Sequence, residues 1–324
     1  MAFLEIKDLQ VDYATDEGVV HALNHVDLEL HQGETLGLVG ETGASKTTMA
    51  KCIMRLLPQR TGRIHSGKII YQDQDLLQAS DQEMRKIRGA HIAMIFQDPM
   101  TSLNPVLTVG EQIAEAVENH RHCSKAEAMR RAEEMLELVG IPAQRVGEYP
   151  HQFSGGMKQR VVIAIALACD PKLLIADEPT TALDVTIQAQ VLEMMQALKE
   201  KLNTSMLLIT HDLGVVAQNC DHVAVIYAGE IVEYGTVRDV FKRMSHPYTR
   251  GLFTSIPQVN ADVKRLIPIP GMMPDPTQLP AGCKFCTRCQ FADDRCRREH
   301  PGLYPVEGIH TARCFRLEKG GSLT

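Results

Sequence analysis

"GETGASKTT", residues 40–48, is the stretch on which the reading of the whole chain turns. It follows "ETLGLVG", which reads as a strand. It leads into "KTTMAKCIMRLLP", whose apolar residues recur at helical spacing as far as Pro58. A strand, a glycine-rich turn and a helix start, in that order, make a cradle for phosphate. The usual pattern is G-x-x-x-x-G-K-[ST], and here Ser45 stands where the last glycine belongs. Gly40 and Gly43 permit the tight turn and leave backbone N–H groups pointing inward. Lys46 offers a compact charge to the β- and γ-phosphates, Thr47 a hydroxyl to Mg²⁺, and the helix its positive end. A Cβ at position 45 strains the loop if that residue needs a positive φ or a close backbone approach, at a cost of about 1–3 kcal/mol. By itself such a loop is also compatible with an ordinary glycine-rich turn.

Two further stretches narrow the choice. "LLIADEP", residues 173–179, is an apolar strand ending in two acids. In phosphate-loop enzymes such a strand delivers one carboxylate to Mg²⁺, here Asp177, and Glu178 beside it is placed to polarise an attacking water. "FSGGMKQR", residues 153–160, sets Ser154 as a natural N-cap before Gly155 and Gly156, which open a helix and so a second anion-facing helix start.

The bulk numbers exclude other classes. The chain has 324 residues, 44% hydrophobic and 23% charged, with a net charge of −6, enough for one large domain or two smaller ones. An acidic balance, no Trp and 5% aromatics give no support to a nucleic-acid partner. The longest uncharged apolar run, "VVIAIALAC" from Val161 to Cys169, is far below the roughly 18 residues that span a bilayer. The start, "MAFLEIKDLQ", alternates apolar and polar residues and does not read as a secretory signal, so a reducing compartment is expected for the nine cysteines.

Along the chain, residues 2–40 read as short strands, and more strands are expected at 68–72, 91–97, 172–177, 205–210 and 222–235. Between about 108 and 169 the pattern is helical, clearest in "AEAMRRAEEMLELVG". From Ile256 the stretch "IPQVNADVKRLIPIPGMMPDPTQLP" holds six prolines in 25 residues, and five of the nine cysteines follow it, so a boundary is expected near 258.

The order of these pieces resembles the nucleotide-binding subunit of an ABC transporter, from about residue 4 to 250. The resemblance implies an α/β fold: an ABC-type P-loop NTPase with a mixed sheet core and an α-helical subdomain, followed by a small irregular Cys-rich C-terminal extension. The implied limits are 1–257 for the nucleotide-binding domain, about 98–169 for its helical subdomain, and 258–324 for the extension. It implies that Tyr13 stacks on adenine. Gly40, Glu41, Thr42, Gly43, Ala44, Ser45, Lys46, Thr47 and Thr48 surround the phosphates. Gln97 in "FQDP" joins Thr47 and Asp177 around Mg²⁺. Ser154, Gly155 and Gly156 close over the ATP of an opposing subunit. Asp184 in "TALD" crosses the dimer interface, and Gln97, Glu178 and His211 in "THD" carry out the reaction, His211 by contacting the γ-phosphate.

"SHPYTRGLF", residues 245–253, and the cysteine region after it resemble the C-terminal part of peptide-importer ATPases, a subfamily that also serves nickel and glutathione uptake. The resemblance implies two membrane permease subunits and a second, different ATPase chain bound head to tail. It also implies an extracytoplasmic solute-binding protein, no nucleic acid, and a peripheral place on the cytoplasmic face of the membrane. A soluble ABC ATPase of repair or translation would need tandem cassettes or DNA-binding inserts, and one cassette is read here. The cysteine spacing, C-x2-C-x2-C-x6-C-x17-C from Cys283 to Cys314, supplies four thiolates for a [4Fe–4S] cluster or Zn²⁺. By resemblance the ligands are Cys283, Cys289, Cys296 and Cys314, with Cys286 spare and a cluster preferred to zinc. A ferredoxin-like run of Cys283, Cys286 and Cys289 is the rival set. Cys52, Cys123, Cys169 and Cys220 read as structural.

Overall fold

The computed structural model describes residues 2–181, 183–255 and 268–318. Its strands are β1 (Leu4–Thr15), β2 (Gly18–Leu30), β3 (Thr35–Val39), β4 (Gly62–Tyr71), β5 (Gln74–Asp75) and β6 (Ile92–Ile95). The later ones are β7 (Leu173–Asp177), β8 (Ser205–Thr210), β9 (His222–Tyr227), β10 (Glu230–Thr236), β11 (Tyr304–Glu307) and β12 (His310–Ala312). The helices are α1 (Lys46–Ile53), α2 (Asp81–Ile87), α3 (Pro99–Ser102), α4 (Val109–His120), α5 (Lys125–Leu138) and α6 (Gly155–Leu167). After them come α7 (Val185–Leu202), α8 (Leu213–Asn219), α9 (Val237–Lys242), α10 (Pro247–Thr254) and α11 (Asp294–Arg298). None is long and apolar enough to cross a membrane.

The chain divides into two compact units. One comprises Leu30–Thr35 and Gln78–Ile209, the other Ala2–Glu29, Leu36–Leu77 and the chain from Thr210 onward. In the first, β6, β7 and β8 run parallel, with Ile92 opposite Leu173 and Leu173 opposite Ser205. Every residue of β7 and β8 is buried, as parallel strands covered on both faces require. Helices α2, α4 and α5 each start at a reciprocal capping box, Ser80 with Glu83, Thr108 with Glu111, and Ser124 with Glu127. Strand β6 stops at Ile95, two residues before Gln97, whereas the apolar pattern carries the expected strand through it.

The second unit holds two sheets. One has the order β2-β1-β4-β5; the other has the order β11-β12-β10-β9-β3, in which β3 and β9 are parallel and the remaining pairs antiparallel. Strand β4 begins six residues before the expected 68, because residues 62–67 pair with β1, Tyr13 opposite Gly62. Its polar residues are held by that ladder rather than by an apolar pattern. Helix α1 ends at Ile53, short of Pro58: Arg55 turns left-handed at φ 48° and Leu56 N–H closes back on the Lys51 carbonyl at 2.7 Å.

The stretch expected as one strand over 222–235 is a hairpin. Ala228 and Gly229 both take positive φ, 46° and 77°, the backbone of a tight two-residue turn. Gly229 suits such a turn but Ala228 does not, so the local signal is half present; the turn is held from β2, where Asn24 donates to the Ala228 carbonyl at 3.1 Å and to the Gly229 carbonyl at 2.9 Å. The boundary expected near 258 lies outside the described residues. Beyond it, β12 pairs with β10, Glu233 opposite Ala312, and Phe285 packs edge-on to Tyr227 with centroids 5.1 Å apart. The described part of the extension therefore takes its core from strands laid down before it.

A Cβ on Gly229 would fall 2.4 Å from the Ala22 carbonyl oxygen, at a φ that side chains avoid. Gly229→Ala should lower unfolding stability by about 2 kcal/mol or more. Urea titration against the parent chain measures this, and an unchanged midpoint would show that the turn yields.

Candidate functional site

The phosphate loop belongs to the second unit. Its glycines do different work. Gly40 has an ordinary φ, but a Cβ there would stand 2.3 Å from the Ile226 carbonyl, so glycine is required by close approach to β9 rather than by the turn. Gly43 carries the left-handed step, φ 87°, with open space where a Cβ would be. Ser45 follows at φ 73° and ψ 22°, also left-handed, and precedes α1 without any side-chain capping bond. The condition for strain at this serine is therefore met, at about 1–3 kcal/mol. Lys46 is buried and its Nζ donates to the carbonyls of Gly40 and Glu41 at 2.8 and 3.1 Å, bridging the loop from within. Thr47 and Thr48 lie half-buried on the first turn of α1, and Tyr13 on β1 donates from its hydroxyl to Thr48 at 3.3 Å. Burial raises the Tyr13 pKa, so the ring stays a neutral phenol. His211 is exposed immediately after β8, and Asp212 next to it caps α8 by accepting from Gly214 and Val215.

The carboxylates belong to the first unit. Asp177 ends the buried strand β7 and is 1% exposed. Glu178 leaves the strand in a left-handed turn, φ 49°, and its N–H donates to the Ile209 carbonyl at 2.8 Å. Its carboxylate accepts from Gln97 Nε2 and from the Thr181 hydroxyl, each at 3.0 Å. Gln97 and Glu178, 81 residues apart, are thus brought into one hydrogen bond. Ser154 caps α6 by accepting from Met157 N–H at 3.4 Å, with Gly155 exposed beside it. A Cβ on Gly156 would approach the Ile187 side chain to 2.7 Å. Asp184 caps α7, accepting from Ile187 N–H at 3.0 Å.

Among the cysteines, Cys283, Cys289, Cys296 and Cys314 line one small pocket together with Phe285, Phe291 and Phe315. Cys286 is buried and does not line it. Burial pushes the Cys283 thiol up to about 12 and the Cys289 thiol up to about 11. Arg316 draws the Cys289 value down only in part, and both thiols stay protonated at neutral pH. Among the described residues no group of three or more His, Cys, Asp and Glu side chains is arranged to hold a metal ion. Cys52 is fully buried in α1 and also pushed up to about 12, as suits a structural thiol. Cys169 donates to the Ala116 carbonyl at 3.4 Å.

Residues 23–181 match the family described as ABC transporter, and residues 232–296 match the oligopeptide/dipeptide transporter C-terminal region. The dipeptide transport ATP-binding protein DppD of Bacillus subtilis is 49% identical over 314 residues, covering 96% of this chain and 94% of that protein. The oligopeptide transport ATP-binding protein AppD of the same organism is 50% identical over 321 residues, 98% of each. The chain belongs to the ABC transporter family. Within that family its most similar relatives include proteins named as dipeptide and oligopeptide transport ATP-binding proteins. A solved dimer of MJ0796, a bacterial ABC transporter cassette, has a TM-score of 0.65 and 29% identity, covering 72% of this chain and 99% of that one.

Two residues that matter to the loop were not singled out from the sequence as site residues. Arg288 reaches Glu41 with two nitrogens, at 2.7 and 3.1 Å, and the Tyr248 hydroxyl accepts from Glu41 N–H at 2.8 Å. The "HPYT" letters flag Tyr248 by resemblance, but nothing local joins either residue to a loop more than 200 positions away.

For this ABC transporter ATP-binding chain, Ser45→Gly should relieve the left-handed strain. The expected gain is about 1 kcal/mol of stability and a several-fold tighter hold on ATP. Denaturant unfolding and calorimetric ATP titration check both, and two unchanged values would show that the serine is carried without strain.

Proposed function

We propose that the chain is the ATP-hydrolysing subunit of an importer for dipeptides or oligopeptides. It would work on the cytoplasmic face of the membrane against two permease subunits, fed by an extracytoplasmic solute-binding protein. The reading rests on the Gln97–Glu178 hydrogen bond at the end of a buried strand, taken with relatives that share half their residues along nearly the full length. Tyr13 would carry the adenine ring. The loop N–H groups and Lys46 would hold the phosphates, with the positive end of α1 adding to the charge. Thr47 and Asp177, with Gln97, offer a hydroxyl, a buried carboxylate and an amide oxygen, a donor set that suits Mg²⁺; the ion would neutralise phosphate charge when bound.

Glu178 is the general base in this scheme. Its carboxylate accepts a proton from water as the water oxygen bonds to the γ-phosphorus and the bond to ADP breaks. Gln97 and Thr181 keep that carboxylate aimed, and His211 contacts the γ-phosphate. Ser154, Gly155 and Gly156 at the start of α6 would close over the nucleotide of a second, different ATPase chain, with Asp184 at the shared face. ATP thus draws the pair together and hydrolysis parts it.

The cysteine pocket we assign to a [4Fe–4S] cluster rather than zinc, held by Cys283, Cys289, Cys296 and Cys314. Four thiols that line one pocket are the donor type such a cluster takes, and Cys283, Cys289, Cys296 and Cys314 would hold it there. When bound, the cluster would supply the positive charge that buried thiolates need.

Two measurements test these assignments. Glu178→Gln keeps the shape and loses the base, so turnover should fall about 100-fold or more while ATP binding persists and ATP-bound pairs accumulate in size-exclusion runs. Normal turnover would remove Glu178 from its role. Anaerobically purified chain should contain about four iron and four sulfide per molecule, and a preparation with neither would remove the cluster.

A further inference from the structure

Glu41 is fixed at all three of its polar groups. Its carbonyl accepts from Lys46 Nζ at 3.1 Å and from Ala44 N–H at 3.1 Å, inside the loop. Its N–H is taken by the Tyr248 hydroxyl at 2.8 Å, and its carboxylate by the Arg288 fork. Neither partner is free to drift. The Arg288 side chain is 4% exposed, donates to the carbonyls of Pro270 and Ile269 at 3.0 and 3.4 Å, and lies over the rings of Tyr227 and Phe285. Tyr248 is fully buried, its ring 4.5 Å from that of Tyr227 and 5.5 Å from that of Phe285.

We propose that Arg288 and Tyr248 are positioning residues for the phosphate loop, and that the C-terminal region thereby sets how tightly the cassette holds ATP. The inference rests on the reading that the loop binds ATP. The physical reason is the shared residue. Lys46 and the clamp meet on the same peptide units, so the loop keeps its strained backbone with Lys46 in place only while Glu41 is held from behind. A guanidinium fork on a carboxylate, screened from water, is the strong form of such a hold. Arg288 also lies between Cys286 and Cys289, so the clamp and the thiol pocket are parts of one short stretch of backbone.

The test uses the full chain, with MgATP titrations and steady-state hydrolysis of Arg288→Ala, Arg288→Lys, Tyr248→Phe, Glu41→Gln and the Glu41→Gln/Arg288→Ala double variant. Each alanine, phenylalanine or glutamine variant should weaken ATP binding and raise KM about fivefold to tenfold, with kcat at saturation within about twofold of the parent. Lysine at 288 should recover part of the loss, and the double variant should be no worse than the weaker-binding single one. Parental ATP affinity in Arg288→Ala and Tyr248→Phe would overturn the proposal, and so would additive losses in the double variant. Where Arg288→Ala costs the fold, Tyr248→Phe, which removes one acceptor oxygen, carries the same comparison. A parent chain that fails to bind MgATP would instead overturn the underlying reading, and this inference with it.

Discussion

The buried carboxylate of Glu233 is the point on which the second unit hangs together. It is fully buried, and its oxygens accept from Ser245 N–H at 2.7 Å, His246 N–H at 2.9 Å and His310 Nε2 at 2.8 Å. A carboxylate shut away from water is tolerated only when it is met by donors in this way, and removing one leaves an uncompensated charge. The three donors come from the turn before α10 and from β12, so one side chain of β10 binds the "HPYT" segment and the C-terminal strand to the sheet. The hold passes inward from there. Burial pushes His246 down to about 3, which keeps its ring neutral, and Nδ1 accepts from Tyr248 N–H at 3.1 Å. Tyr248 then carries the Glu41 backbone.

The residues assigned to chemistry occupy costly backbone. Ser45 and Glu178 both have positive φ, and each follows directly on a short buried strand or the loop it feeds. Left-handed non-glycine residues persist where the surroundings over-determine them. For Glu178 the restraint is the ladder bond to Ile209 and the paired bonds from Gln97 and Thr181. For Ser45 it is the loop itself, closed by Lys46 and tied at Glu41. In both places, rigid parallel strands supply the anchoring and short turns supply the aim.

The cysteine region shows how a small segment acquires order without a core of its own. Phe285 joins Tyr227 and Tyr248, while Cys283 and Cys289 pack against the same apolar cluster. A Cβ on Gly282 would stand 2.3 Å from the Cys296 carbonyl, which brings the first and fourth thiol-bearing stretches together. The result is a pocket walled by four thiols and three phenylalanines, resting on the cassette that holds the phosphate loop.

By itself the sequence was enough for the pieces whose physics is local. The phosphate loop, the acidic end of β7, the cap at Ser154 and the apolar strands are written in neighbouring residues, because turns, caps and burial act over a few positions. Where the local letters were wrong or silent, tertiary contacts had decided. The Ala228–Gly229 turn is held by Asn24, the early part of β4 by pairing with β1, and the need for glycine at 40 by the Ile226 carbonyl. The same holds for the meeting of Gln97 with Glu178 and of Arg288 with Glu41. Charged and polar groups choose partners by where the folded backbone delivers them, and no spacing along one chain encodes a distance across the fold.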